Sequence, residues 1–117
     1  EEGKPNPHLW TDPTFAIEYA EIVRDVLSER APECANTFQT NFESFEAQVN
    51  ELAEAIREDQ QTVPEGNLKL VTYHDAYAYF ANNFGWEVVG ALQPSDFADP
   101  TPSAPEVIKF PHPMYEQ

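Results

Sequence analysis

"LVTYHDAYAYFANNFGWEVVG", Leu70 to Gly90, holds two apolar runs separated by a short stretch of different period. The first run, Leu68 to Tyr73, reads as a β-strand. Ala76 to Phe84 reads as a short helix with Tyr77, Phe80 and Phe84 turned inward, Gly85 stops it, and Glu87 to Leu92 returns to strand composition. Strand, helix and strand at this spacing make a βαβ unit, so the two strands are expected to be parallel with a right-handed crossover. This half of the chain is therefore α/β. Two parallel strands are too few for an independent sheet, and Val88 and Val89 need further strands beside them.

Upstream, the period is helical. In "TDPTFAIEYAEIVRDVLSERAP" Asp12 is placed as N-cap, Pro13 suits the first helical position, and Pro32 ends the run. Phe15, Tyr19, Ile22, Val23, Val26 and Leu27 form one apolar stripe, with Glu18, Glu21, Arg24, Asp25 and Glu29 opposite. A second helix is expected from about Glu33 to Gln60, where Ala35, Phe38, Phe42, Phe45, Val49, Leu52 and Ile56 step by three and four. At ~1.5 Å per residue it would reach roughly 40 Å, long enough to connect two bodies, although a long helix of an ordinary bundle has the same periodicity. "TVPEGN" makes the turn into the first strand. Beyond Gln93 the prolines Pro94, Pro100, Pro102 and Pro105 mark a loop; "SAPE" has capping-box spacing for a brief helix on Val107 and Ile108, ended by Pro111 and Pro113.

Totals bound the function. The 117 residues suffice for one domain, and 41% apolar with 13% aromatic residues indicates a chain that folds. Six Lys plus Arg against 21 Asp plus Glu give a formal charge of −15. Such a surface repels phosphate backbones and anionic headgroups, which argues against nucleic-acid and membrane-surface partners, and it attracts cations. Much of this acidity is also what solvated helix faces require. Cys34 is the single cysteine, so an intrachain disulfide is ruled out. No run approaches the ~20 apolar residues of a membrane span, and "EEGKPNPH" lacks signal-peptide character. A chain beginning without Met is expected where an upstream segment has been removed or omitted. Gly-rich phosphate loops, a GxSxG elbow and an HExxH helix are all missing from the sequence.

Two histidines stand out. His74 lies just past the carboxyl end of the first strand and before a helix, where ligands bind in open α/β sheets. The positive end of the helix dipole favours a neutral imidazole there, the form a metal needs, with Asp75 as the expected N-cap. A ring hydrogen-bonded to a loop carbonyl would fit the same position. His8 sits in "NPHLWTDP", a loop held between Pro7 and Pro13 with Trp10 as a large anchor. His112 in the tail reads as a solvated loop residue. A metal shell needs about four donors, and Asp75, Asp96 and Asp99 are the carboxylates near the right end of the unit.

"NPHLWTDP" before a helix, then a long helix, then "LVTYHDAYAYFANNFGWEVVG" and "PSDFADPTPSAPEV", resembles the periplasmic or lipid-anchored metal-binding subunits of zinc and manganese ABC importers, the cluster A-I family. The resemblance covers nearly the whole chain to about Val107. It implies a fragment of a two-lobed solute-binding protein: residues 1–32 ending the first lobe with a ligand loop and helix, 33–62 forming a long inter-lobe helix, and 63–117 starting the second lobe with the βαβ unit and Pro-rich tail. It makes His8 and His74 metal ligands, two of about four, the others lying outside this chain. Zn2+ is favoured by imidazole at position 74, with Mn2+ the other admissible ion. The implied partners are a divalent metal ion and an ABC transporter permease, for a monomer located in the periplasm or anchored at the outer face of the cell membrane.

Two other functions fit parts of the pattern. A metal-dependent hydrolase would use His8 and His74 as ligands and Asp75 as general base, but lacks a third ligand. A non-catalytic helical interaction module would leave both histidines incidental.

Overall fold

The computed structural model describes residues 5–64 and 66–93. A single 3-10 turn at Leu9–Thr11 leads into α1, Phe15–Arg30. A second 3-10 turn at Pro32–Cys34 reverses the chain into α2, Ala35–Gln60. Then come β1, Lys69–His74, α3, Ala78–Phe84, and β2, Glu87–Gln93. The order is α/β with a long second helix, as the sequence predicts. The tail features around Asp96, Asp99, Ser103 to Glu106 and His112 lie outside the described residues.

α2 runs without interruption because no Pro or Gly stands between Pro32 and Pro64. Its 26 residues span roughly 39 Å at ~1.5 Å each. Of the predicted seam Val49 is buried, with Ala53 beside it, whereas Phe45 and Leu52 fall on the exposed edge. α2 packs along α1, and there the expected sides of α1 do not hold. Arg24 stacks over the Phe42 ring at 4.5 Å while also pairing with Glu21 and Asp25. The apolar stripe faces elsewhere: Ile22 is 61% and Val23 56% exposed. Side-chain stems explain the exchange. An Arg can lay its methylenes and planar head on an aromatic ring, so a formally charged position can line a helix contact.

β1 and β2 pair in parallel from Lys69 opposite Glu87 to His74 opposite Gln93, with an irregularity between Leu70 and Val71. α3 crosses between them. Tyr77 occupies its N-cap position and is half exposed, so it is Tyr79 rather than Tyr77 that turns inward, its ring 5.5 Å from that of Phe15. Asp75 lies too early to cap this helix. At the other end the amides of Gly85 and Trp86 both return to the Ala81 carbonyl, and Gly85 has φ +76°. The Gln60 side chain clamps the same corner, donating to the Phe84 carbonyl at 3.0 Å and accepting from Trp86 Nε1 at 3.1 Å. Open space surrounds the position of a Cβ on Gly85, so Gly85→Ala is expected to cost only the backbone term, about 1 kcal/mol, read as a lowered urea midpoint with unchanged slope.

Candidate metal centre

The structure brings together the two histidines that the sequence singles out. His8 enters from the loop before α1 and His74 from the last residue of β1, and their Nε2 atoms stand 3.3 Å apart. The rings are tilted with centroids 5.0 Å apart. His8 is buried and His74 half-buried. The contact is a hydrogen bond between the two rings, and its length also fits one edge of a metal shell, since bonds of ~2.0–2.1 Å from a tetrahedral zinc place two imidazole nitrogens about 3.3–3.4 Å apart. Neutral rings offering Nε2 are borderline donors, suited to zinc and acceptable to other first-row divalent ions.

Local chemistry explains the placement. In Asn6-Pro7-His8 the Asn6 Oδ1 accepts the His8 amide at 3.0 Å, an Asx turn, and Pro7 contributes a fixed φ with no competing N–H. The Thr11 hydroxyl lies 2.9 Å from both the His8 and Ala76 carbonyls, donating to one at a time and holding the first loop against the turn after β1. That turn closes through the Ala76 amide on the His74 carbonyl at 2.8 Å. Trp10 does not anchor the loop as expected. It is 61% exposed and meets the His8 ring edge-on at 5.3 Å, because the polar bonds of Asn6, Thr11 and Asp12 already fix this backbone.

Asp12 is buried at 3% exposure and its Oδ1 accepts from the Thr14 amide, the Thr14 hydroxyl and Asn83 Nδ2. Asp12 thus bonds the Thr14 amide as expected, but in the turn ahead of α1: the helix begins at Phe15 with Thr14, not Asp12, at its N-cap position and no side-chain capping bond there. Asp75 is exposed; its carbonyl, not its carboxylate, is engaged, accepting from Asn6 Nδ2 at 2.9 Å. Among the described residues no group of three or more His, Cys, Asp and Glu comes together, so the histidine pair is what this part of the chain brings to a site. The sequence assigned no site role to Asn6, Thr11, Tyr79 or Asn83. Only Asn6 carried a signal, as an Asx-Pro turn immediately before a candidate residue.

The fold and the paired imidazoles define an α/β chain with a candidate metal centre, and comparison with known proteins places it more closely. The family described as zinc-uptake complex component A, periplasmic, matches residues 1–109. The chain is 33% identical over 97 residues to the manganese-binding lipoprotein MntA of Halalkalibacterium halodurans, which covers 83% of this chain and 32% of that protein. It is 32% identical to the iron-binding protein YfeA of Yersinia pestis, over 74% of this chain and 28% of that one. The structure of the periplasmic zinc-binding protein TroA from Treponema pallidum superposes with a TM-score of 0.77 at 30% identity, covering 91% of this chain and 38% of TroA. The chain belongs to the zinc-uptake component A family. It spans about a third of the length of the relatives it matches, and corresponds to part of their two-lobed fold.

Proposed function

We propose that this chain supplies one side of an extracytoplasmic site that captures a divalent transition metal, zinc in the first instance, and passes it to an ABC permease without chemical turnover. The observation that carries this reading is the 3.3 Å separation of the His8 and His74 Nε2 atoms, one from the loop before α1 and the other from the last residue of β1. Residues 1–32 would close the first lobe, 33–62 would form the inter-lobe helix, and 63–117 would open the second lobe. Hydrogen bonds from Asn6 and Thr11 across to the 74–76 turn join the two sides, so release calls for small shifts rather than wide hinge opening. Family membership favours a periplasmic or membrane-anchored location. The relatives named above bind zinc, manganese or iron, and two imidazoles weigh toward zinc.

Titration calorimetry of the full-length protein carrying this segment tests the reading with Zn2+ and Mn2+ in turn. One saturable site with zinc bound more tightly than manganese is expected. Equal or tighter manganese binding would overturn the zinc assignment, and no saturable binding of either ion would overturn capture itself.

A further inference from the structure

Asn6 makes four hydrogen bonds at the junction between the two histidine loops. Oδ1 accepts from the His8 amide at 3.0 Å and from His8 Nδ1 at 2.7 Å, Nδ2 donates to the Asp75 carbonyl at 2.9 Å, and the Asn6 carbonyl accepts from the Tyr79 hydroxyl at 2.8 Å. Partners of single character fix which end of the amide is which. A backbone N–H can only donate and a carbonyl can only accept, so Oδ1 is the atom facing His8 and Nδ2 the atom facing Asp75. An amide oxygen 2.7 Å from Nδ1 requires that nitrogen to carry the hydrogen, since two lone pairs would otherwise face each other. In the neutral ring the lone pair then lies on Nε2, the nitrogen that faces His74.

From this geometry we infer that Asn6 is a positioning residue for metal capture: it holds His8 in the Nδ1–H tautomer and ties the His8 loop to the turn that carries His74. The inference rests on the metal-capture reading. Its content is that the two Nε2 atoms reach their coordination separation before metal arrives, through one side chain that touches both loops. Outer partners of this kind fix tautomer and ring orientation, and their loss costs about 10–100-fold in metal affinity.

Nitrogen-15 imidazole spectra of the metal-free full-length protein, together with zinc titrations, test it in wild type, Asn6→Ala, Asn6→Asp and Tyr79→Phe. Wild type is expected to show His8 with a protonated Nδ1 and a lone pair on Nε2. Asn6→Ala is expected to lose that signature and about 10–100-fold in zinc affinity. Asn6→Asp keeps an acceptor for Nδ1 but loses the donor to Asp75, so it retains the tautomer and recovers part of the affinity. Tyr79→Phe keeps the tautomer and loses less than ~10-fold, below the range for a residue bonded to the ring itself. A purely structural Asn6 would leave the alanine and aspartate variants equally impaired. Equal impairment, or an Asn6→Ala protein that keeps both tautomer and affinity, overturns the assignment. Wild type that binds no zinc overturns the capture reading and this role with it, and is told apart because the assignment's own failure leaves wild-type binding intact.

Discussion

His74→Ala in the full-length protein is expected to weaken zinc binding by more than ~100-fold, beyond the range seen when only an outer-shell partner is lost. His74 is the sharper of the two histidines to remove. Its side chain is half-buried on the last residue of β1, so alanine there leaves the strand pairing to Gln93 in place and opens little interior space. His8 is buried and its backbone lies within the Asx turn, so His8→Ala combines loss of a donor with loosening of the loop. The signature of lost ligation is a large affinity change beside a metal-free melting curve that moves little. Calorimetric titration with zinc and thermal melting on the same samples give both numbers. A second variant, His74→Glu, exchanges imidazole for a harder oxygen donor and is expected to lower the ratio of zinc to manganese affinity while preserving binding. Unchanged zinc affinity in both His74→Ala and His8→Ala would remove these histidines from the site.

The order of elements was legible because it rests on period and punctuation. Pro32, Pro64 and Gly85 bound the helices, and the change of period at Leu68 separates helix from strand. The pairing of His8 with His74 was legible only through the family resemblance, since no local spacing joins residues so far apart in sequence. What the sequence concealed was partner choice. Hydrophobic spacing says that one face of α1 wants cover, but it does not say that α2 meets the Arg24 side of the helix, because an arginine's capacity to stack on Phe42 is invisible in a polar-apolar pattern. The same holds for α3. Moving its start by two residues, from Ala76 to Ala78, rotates Tyr77 outward and brings Tyr79 to Phe15 and to the Asn6 carbonyl. A boundary error of that size changes which tyrosine holds the histidine loop.

Asp12→Ala is expected to produce the largest loss of stability among substitutions that touch neither histidine, about 1–3 kcal/mol. Asp12 Oδ1 serves the Thr14 amide at 2.9 Å and the Thr14 hydroxyl at 2.8 Å, so alanine removes the cap-like bonds of the turn that leads into α1, worth ~0.5–2 kcal/mol. It also takes the nearer acceptor from Asn83 Nδ2, 3.0 Å away, leaving that donor only the Thr14 hydroxyl at 3.3 Å, a net loss of about 0.5–1.5 kcal/mol. Asn83 Oδ1 in turn accepts from Arg57 Nη2 at 3.3 Å, so a single carboxylate links the start of α1, the body of α3 and the last turn of α2. Asp12→Asn keeps an oxygen for the Thr14 amide and is expected to lose about half as much. Urea denaturation of the metal-free protein measures these differences, and zinc titration of the same variants should show less change than Asn6→Ala does, because Asp12 bonds to neither imidazole. An Asp12→Ala protein within ~0.5 kcal/mol of wild type would mean that the Thr14 and Asn83 donors find other partners, and that the bonds of Asn6, Thr11 and Thr14 suffice to hold the first loop against α3 and the turn before it.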